Sequence, residues 1–179
     1  LSPSSASKAE KLGYKNIRVF IGGIPVWKKG KNTIYSSPAY ITKSAAQKMP
    51  VVVVDVRSAS KVKKGHIAGA VAYTTTELKK AKSKFPKAKS APIIIYSDSE
   101  KQAKAAFKTV RKWGYKNASV MEGGVKAWQK AGNKLVSGKA GKKIVYVPKA
   151  LPGSIAISEF KAIAKGSSNA IILDVRDDD

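Results

Sequence analysis

Asp55 and Arg57 close the valine-rich run Val51–Val56, and nine residues beyond Arg57 stands His66, the only histidine of the chain. A carboxylate and a guanidinium at the carboxyl end of a strand stand where sites of α/β proteins gather. Their plainer role is a charge pair that fixes the loop after the strand. A histidine titrates near neutrality and could move a proton. His66, set between Gly65 and Ile67, reads instead as a buried, hydrogen-bonded turn residue. A single histidine rules out a two-histidine metal site, and no metal or cofactor is expected. The chain holds no cysteine, which excludes disulfides, thiolate metal sites and thiol nucleophiles within these 179 residues.

The elements that must hold these side chains alternate along the chain. Val51–Val56 is a continuous β-branched run, as expected of a strand covered on both faces of a parallel sheet. Ala70–Tyr73, Ile93–Tyr96 and Ala118–Met121 read as further strands. Ser44–Met49, Thr76–Phe85, Glu100–Lys112 and Val125–Ala131 read as helices. In the third of these, Ala103, Ala106, Phe107 and Val110 share one face. Strands alternating with helices predict an α/β fold with a parallel sheet flanked by helices on both faces.

The chain also repeats itself. Residues 11–32, KLGYKNIRVFIGGIPVWKKGKN, match residues 112–133, KWGYKNASVMEGGVKAWQKAGN, at 11 of 22 positions. A second echo links PVVVVDVR at 50–57 to NAIILDVR at 169–176. Spacings near 100 residues are those of tandem domains rather than of a solenoid. The expected order is the C-terminal part of one unit (1–33), a complete unit (35–136), a Lys-rich linker with a short strand near Lys143–Val147 (137–150), and the N-terminal part of another unit (151–179).

The formal net charge of +24 comes from 35 basic against 11 acidic residues, and only four of the basic residues are arginine. Nucleic-acid sites favour arginine forks and aromatic platforms. Lysines scattered over every segment, Lys79, Lys80, Lys82 and Lys84 among them, read as a solvated surface, so nucleic acid is not expected as a partner. No apolar run has the length of a membrane-spanning helix, roughly 20 residues.

Within the complete unit, Asp55-Val56-Arg57, Gly65-His66-Ile67-Ala68-Gly69-Ala70, Pro92-Ile93-Ile94-Ile95-Tyr96 and Gly114-Tyr115 through Gly123-Gly124-Val125-Lys126-Ala127-Trp128 follow in order over about 75 residues. In order and spacing they resemble the rhodanese homology domain of the thiosulfate sulfurtransferases. The resemblance implies a rhodanese-type sheet. It also implies catalysis by a cysteine after the fourth strand, whose thiolate takes sulfur from a donor and passes it on as a persulfide, with loop N–H groups and a helix N-terminus around the anion.

Ser97 occupies the cysteine's place. The loop it opens continues Asp98, Ser99, Glu100, Lys101, Gln102 and Ala103, with Gln102 where many members carry arginine. A serine hydroxyl is far less acidic than a thiol, whose pKa is about 8.5, and cannot carry a persulfide. As an acyl-transfer nucleophile it would need a base and an oxyanion hole, and the resemblance gives His66 a structural role. Asp98 and Glu100 place carboxylates where an anionic donor would bind.

Two readings follow. In one, the module is catalytically inactive and acts as a scaffold or interaction domain. In the other, it belongs to an active sulfurtransferase whose cysteine lies in a neighbouring domain or was changed to serine. The expected partners are a protein or a thiosulfate-like anion, with self-association through the apolar faces of the incomplete units. Lys-rich tandem proteins of this family point to a bacterial origin and to the periplasm or cell envelope.

Overall fold

The apolar runs Val52–Asp55, Ile93–Tyr96 and Ala118–Met121 become the buried central strands of one parallel sheet. The computed structural model describes residues 2–148, 154–155, 157–166 and 170–172. They belong to two units, Leu1–Val147 and Pro148–Asp179. The first unit begins with α1 (Ser2–Lys11) and α2 (Gly23–Lys29). Next come β1 (Tyr35–Ser36), α3 (Pro38–Ala46), β2 (Val52–Asp55), α4 (Ala59–Lys64), β3 (Val71–Ala72) and α5 (Thr75–Lys79). A 3-10 turn at Lys82–Lys84 leads to β4 (Ile93–Tyr96), α6 (Glu100–Lys112), β5 (Ala118–Met121) and α7 (Gly124–Lys130). In the second unit the described helix is α8 (Ile157–Ala164), with no buried residue. The repeat motif Asp174-Val175-Arg176 lies outside the described residues.

The five strands lie in the order β1-β5-β4-β2-β3, every neighbouring pair parallel. The chain is thus α/β, as the alternation of elements predicts. Side chains two apart along a strand share a face. Val52, Val54, Ile93, Ile95, Ala118 and Val120 therefore turn to the side covered by α5 and α6. Val53, Ile94, Tyr96 and Met121 turn to the side of Ile41 on α3 and of Val125 and Trp128 on α7. Phe107 and Val110 anchor α6 from its single apolar face, and both are fully buried. Each contributes about 1.5–3 kcal/mol by leaving water.

Several boundaries differ from those expected. The helix expected at Ser44–Met49 runs instead over Pro38–Ala46, with Ser37 at its N-cap and Pro38 in its first turn, where proline costs no hydrogen bond. Lys48, at φ 52°, turns the chain out of the helix. The helix expected over Thr76–Phe85 breaks into α5 and the 3-10 turn. Thr74 and Glu77 form a capping box that fixes its start. Phe85 is already extended, the conformation that the following Pro86 demands. β1 and α4 have too few apolar residues for a periodic signal.

No strand forms at Lys143–Val147. The pairing falls earlier, where residues 136–142 strap the outer edge of β3. Val136 exchanges backbone bonds with His66 at 2.8 and 2.9 Å, and Ala72 N–H donates to Gly141 at 2.9 Å. The Tyr73 hydroxyl reaches the Lys142 carbonyl. The strap covers an edge strand whose free N–H and C=O groups would otherwise invite pairing with another chain.

Candidate functional site

The carboxyl ends of β2 and β4 lie side by side, with Asp55 opposite Tyr96 and the Val56 N–H donating to the Tyr96 carbonyl at 3.1 Å. Ser97 is the next residue after β4, and Ser99 is the N-cap of α6, accepting from the Gln102 N–H at 3.4 Å. The turn into α7 closes the site from the other side. Gly123 and Gly124 hold φ of 66° and 55°, and the Val125 N–H donates to the Ser97 carbonyl at 3.2 Å. A Cβ on Gly124 would run into that same carbonyl oxygen, so glycine is required there for close approach as well as for φ.

The Ser97 side chain is fixed inside this frame. Its residue is only 2 % exposed. The hydroxyl donates to Gln102 Oε1 at 2.7 Å, while Gln102 Nε2 donates to the Val56 carbonyl at 2.8 Å. The Ser99 N–H donates to Ser97 Oγ at 3.3 Å. The amide oxygen, which is not a base, is the near acceptor; the Asp98 carboxylate lies farther, with Oδ1 at 3.4 Å. His66 is remote in bonding terms, its ring Nδ1 lying 3.1 Å from the Val62 carbonyl.

Carboxylates surround the opening. A cavity of about 320 Å³ is lined by Ser97, Asp98, Glu100, Ala103, Glu122 and Gly124, among others. Asp98 pairs with Lys61 at 2.6 Å, and that bond holds its carboxyl below the usual range. Glu100 pairs with Lys104 at 2.8 Å and accepts from the Tyr35 hydroxyl at 2.6 Å. These bonds, Lys104 first, lower its pKa as well. Lys101 is exposed and does not line the cavity.

Asp55 and Arg57 lie beneath the loop, 0 % and 6 % exposed. Arg57 Nη2 meets Asp55 Oδ2 at 2.6 Å and the Gly65 carbonyl at 2.6 Å, and Arg57 Nε meets Asp55 Oδ1 at 3.0 Å. Burial opposes the charge on Arg57, but the bonds to Asp55 outweigh it and the pKa stands raised. Tyr96, whose hydroxyl accepts from the Ile67 N–H at 3.0 Å, is pushed up, chiefly by burial and next by Asp55. The pair therefore ties the β2 loop to the glycine turn, and it does not line the Ser97 cavity.

The loop residues Ser97, Asp98, Ser99, Glu100, Gln102 and Ala103 thus come together, whereas Asp55, Arg57 and His66 support from behind. Tyr35, Lys61 and Glu122 join the site without a sequence signal. They come from a two-residue strand, a short helix and a turn, each distant in sequence from Ser97.

Residues 38–131, just over half of the chain, match the rhodanese-like domain. The chain belongs to the rhodanese-like domain family. The Escherichia coli K12 protein YibN, described as uncharacterized, is 32% identical over 93 residues, which span 51% of this chain and 65% of YibN. The chain therefore spans less than two thirds of that relative. Among solved structures, the Alr3790 protein of Anabaena sp. superposes with a TM-score of 0.53 at 26% identity, covering 57% of this chain and 92% of the other. The thiosulfate sulfurtransferase of Pseudomonas aeruginosa superposes with a TM-score of 0.55 at 22% identity, covering 59% of this chain and 20% of the other. The latter likeness is one of fold. The rhodanese-like module here shares its fold with that enzyme and has no cysteine.

Proposed function

We propose that the rhodanese-like module has lost sulfur transfer and serves as a scaffold or protein-interaction domain. The observation that carries this reading is the bond from the Ser97 hydroxyl to Gln102, with Asp98, Glu100 and Glu122 around the opening. Sulfur transfer needs a thiolate that leaves and attacks readily. A serine held to a neutral amide offers neither. Glu122 at the mouth, with no lysine paired to it among the described residues, also opposes the approach of an anionic donor such as thiosulfate, while Asp98 and Glu100 are held by lysines.

One observation favours the alternative of an active sulfurtransferase with its cysteine changed to serine or located in a neighbouring domain. The Ser99 N–H still points at Ser97 Oγ, as a cradle for an anion would. Thiosulfate:cyanide sulfurtransferase activity of the chain, measured beside its Ser97→Cys variant, separates the two. The proposal expects both to be silent. Turnover by the variant alone would show a pocket still able to bind donor, and turnover by the chain as it stands would overturn the reading of Ser97.

Residues 1–33 and 151–179 are proposed to be parts of two further rhodanese-like units. In support, Trp27 donates to the Thr33 carbonyl at 2.8 Å as Trp128 does to Lys134 at 3.0 Å. Asn32 likewise bonds the Trp27 carbonyl at 3.2 Å as Asn133 bonds that of Trp128 at 3.3 Å. The apolar side chains of the first segment, Tyr14, Phe20 and Ile24 included, are exposed and support self-association. Sedimentation that stays monomeric across concentration would remove that part of the proposal. The bacterial relatives support a bacterial origin.

A further inference from the structure

A second cavity, of about 510 Å³, lies where the strap crosses β3, and it is lined by none of the residues that line the Ser97 cavity. Its charge is opposite. Lys63 and Lys139 face it with no carboxylate partner among the described residues, while Lys142 is paired with Glu77 and Arg57 with Asp55. Apolar surface comes from Val62, Ala72 and Ala140, and hydroxyls from Ser60 and Thr74. Two unneutralised ammonium groups beside a wall of methyl groups suit a ligand with an anionic head and a short apolar body.

The far wall is the strap itself. Gly138 N–H donates to the Lys63 carbonyl at 2.9 Å, Gly141 pairs with Val71, and Lys142 reaches Glu77. A ligand held between Lys63 on α4 and Lys139 on the strap would therefore link the strap to α4.

We infer that this cavity between α4, β3 and the strap binds a small organic anion, such as an aryl or alkyl phosphate, sulfonate or carboxylate. The acidic Ser97 cavity is unsuited to such a ligand, so the module's anion site lies one loop away from the family's catalytic position. The inference stands apart from the loss of sulfur transfer.

The test is a titration of the full chain with phenyl phosphate at fixed ionic strength, read by calorimetry and by thermal unfolding. Saturable binding and a raised Tm are expected, with inorganic phosphate at least tenfold weaker for want of the apolar body. The Lys63→Ala/Lys139→Ala variant should weaken phenyl phosphate tenfold or more. A Lys108→Ala/Lys130→Ala control, which removes the same charge from α6 and α7, should bind like the parent. Equal weakening in the two variants, or equal binding of phenyl and inorganic phosphate, would reduce the effect to the general charge of the protein and overturn the site. Absence of saturable binding would do the same.

Discussion

Ser97 Oγ and Gln102 Oε1 are 2.7 Å apart, so the hydroxyl that follows β4 is committed as a donor to the first turn of α6. Through its other end Gln102 also holds the Val56 carbonyl. Gln102→Ala removes both bonds and leaves Ser97 without its main acceptor. A loss of about 1–3 kcal/mol is expected, from the magnitude of unsatisfied buried groups. Urea unfolding of the variant checks it, and an unchanged midpoint would mean that water replaces the amide without cost.

Gly124 and Gly132 both have positive φ, at 55° and 80°, but only Gly124 faces a backbone atom. Gly132→Ala should cost about 1 kcal/mol, the ordinary penalty of a left-handed conformation. Gly124→Ala must in addition push the Ser97 carbonyl away and loosen the loop. It should cost at least twice as much, read as the difference between the two midpoints of thermal unfolding.

Asp55 and Arg57 form a buried ion pair. Asp55→Ala strands the guanidinium and should cost about 3–5 kcal/mol. Replacing both, as Asp55→Ala/Arg57→Met, should recover a large part of that loss, because no unpaired charge remains. Denaturant titration of the single and double variants gives the comparison. Equal losses would show that the bond from Arg57 to the Gly65 carbonyl, and not the charge pair, holds the turn.

Asp98 has a lowered pKa in the folded chain because of Lys61. A carboxylate whose folded pKa is depressed contributes stability above its unfolded pKa, about 3.9 for aspartate. That contribution is lost as pH falls through the folded value. The chain should therefore lose stability below about pH 4, with Lys61→Ala removing the part due to Asp98. The pair is largely exposed, so that part should stay under about 1 kcal/mol and shrink in high salt. Urea midpoints at several pH values, with and without salt, check the sign and the size.

The sheet was readable because its strands are continuous valine and isoleucine runs buried on both faces, Val52–Asp55 and Ile93–Tyr96 above all. The loop after β4 was readable because the motifs around it fix its position. The partners of the loop were not. Lys61 stands on a helix with a single buried residue, Val62, and nothing in its spacing tells that it reaches Asp98 across 37 positions. Gln102 was placed by its position, but its two bonds depend on how closely β2 and β4 lie. The sequence suggests a short strand at Lys143–Val147 and not the pairing at Val136 and Gly141, because the strap's bonds are backbone bonds, which any residue can make.

Trp27 and Trp128 make the same local bonds although one is 41 % exposed and the other 7 %. The turn of α2 thus closes with little beneath it, whereas its copy in α7 lies on the sheet. Contacts so near in sequence form early, since little loop entropy opposes them. In the rhodanese-like module, then, the span from Gly123 to Asn133 is held by contacts close in sequence, whereas β5 lies between β1 and β4 through distant ones. The entropy of closing long loops falls on the distant strand pairings, and the tryptophan turn bears little of it.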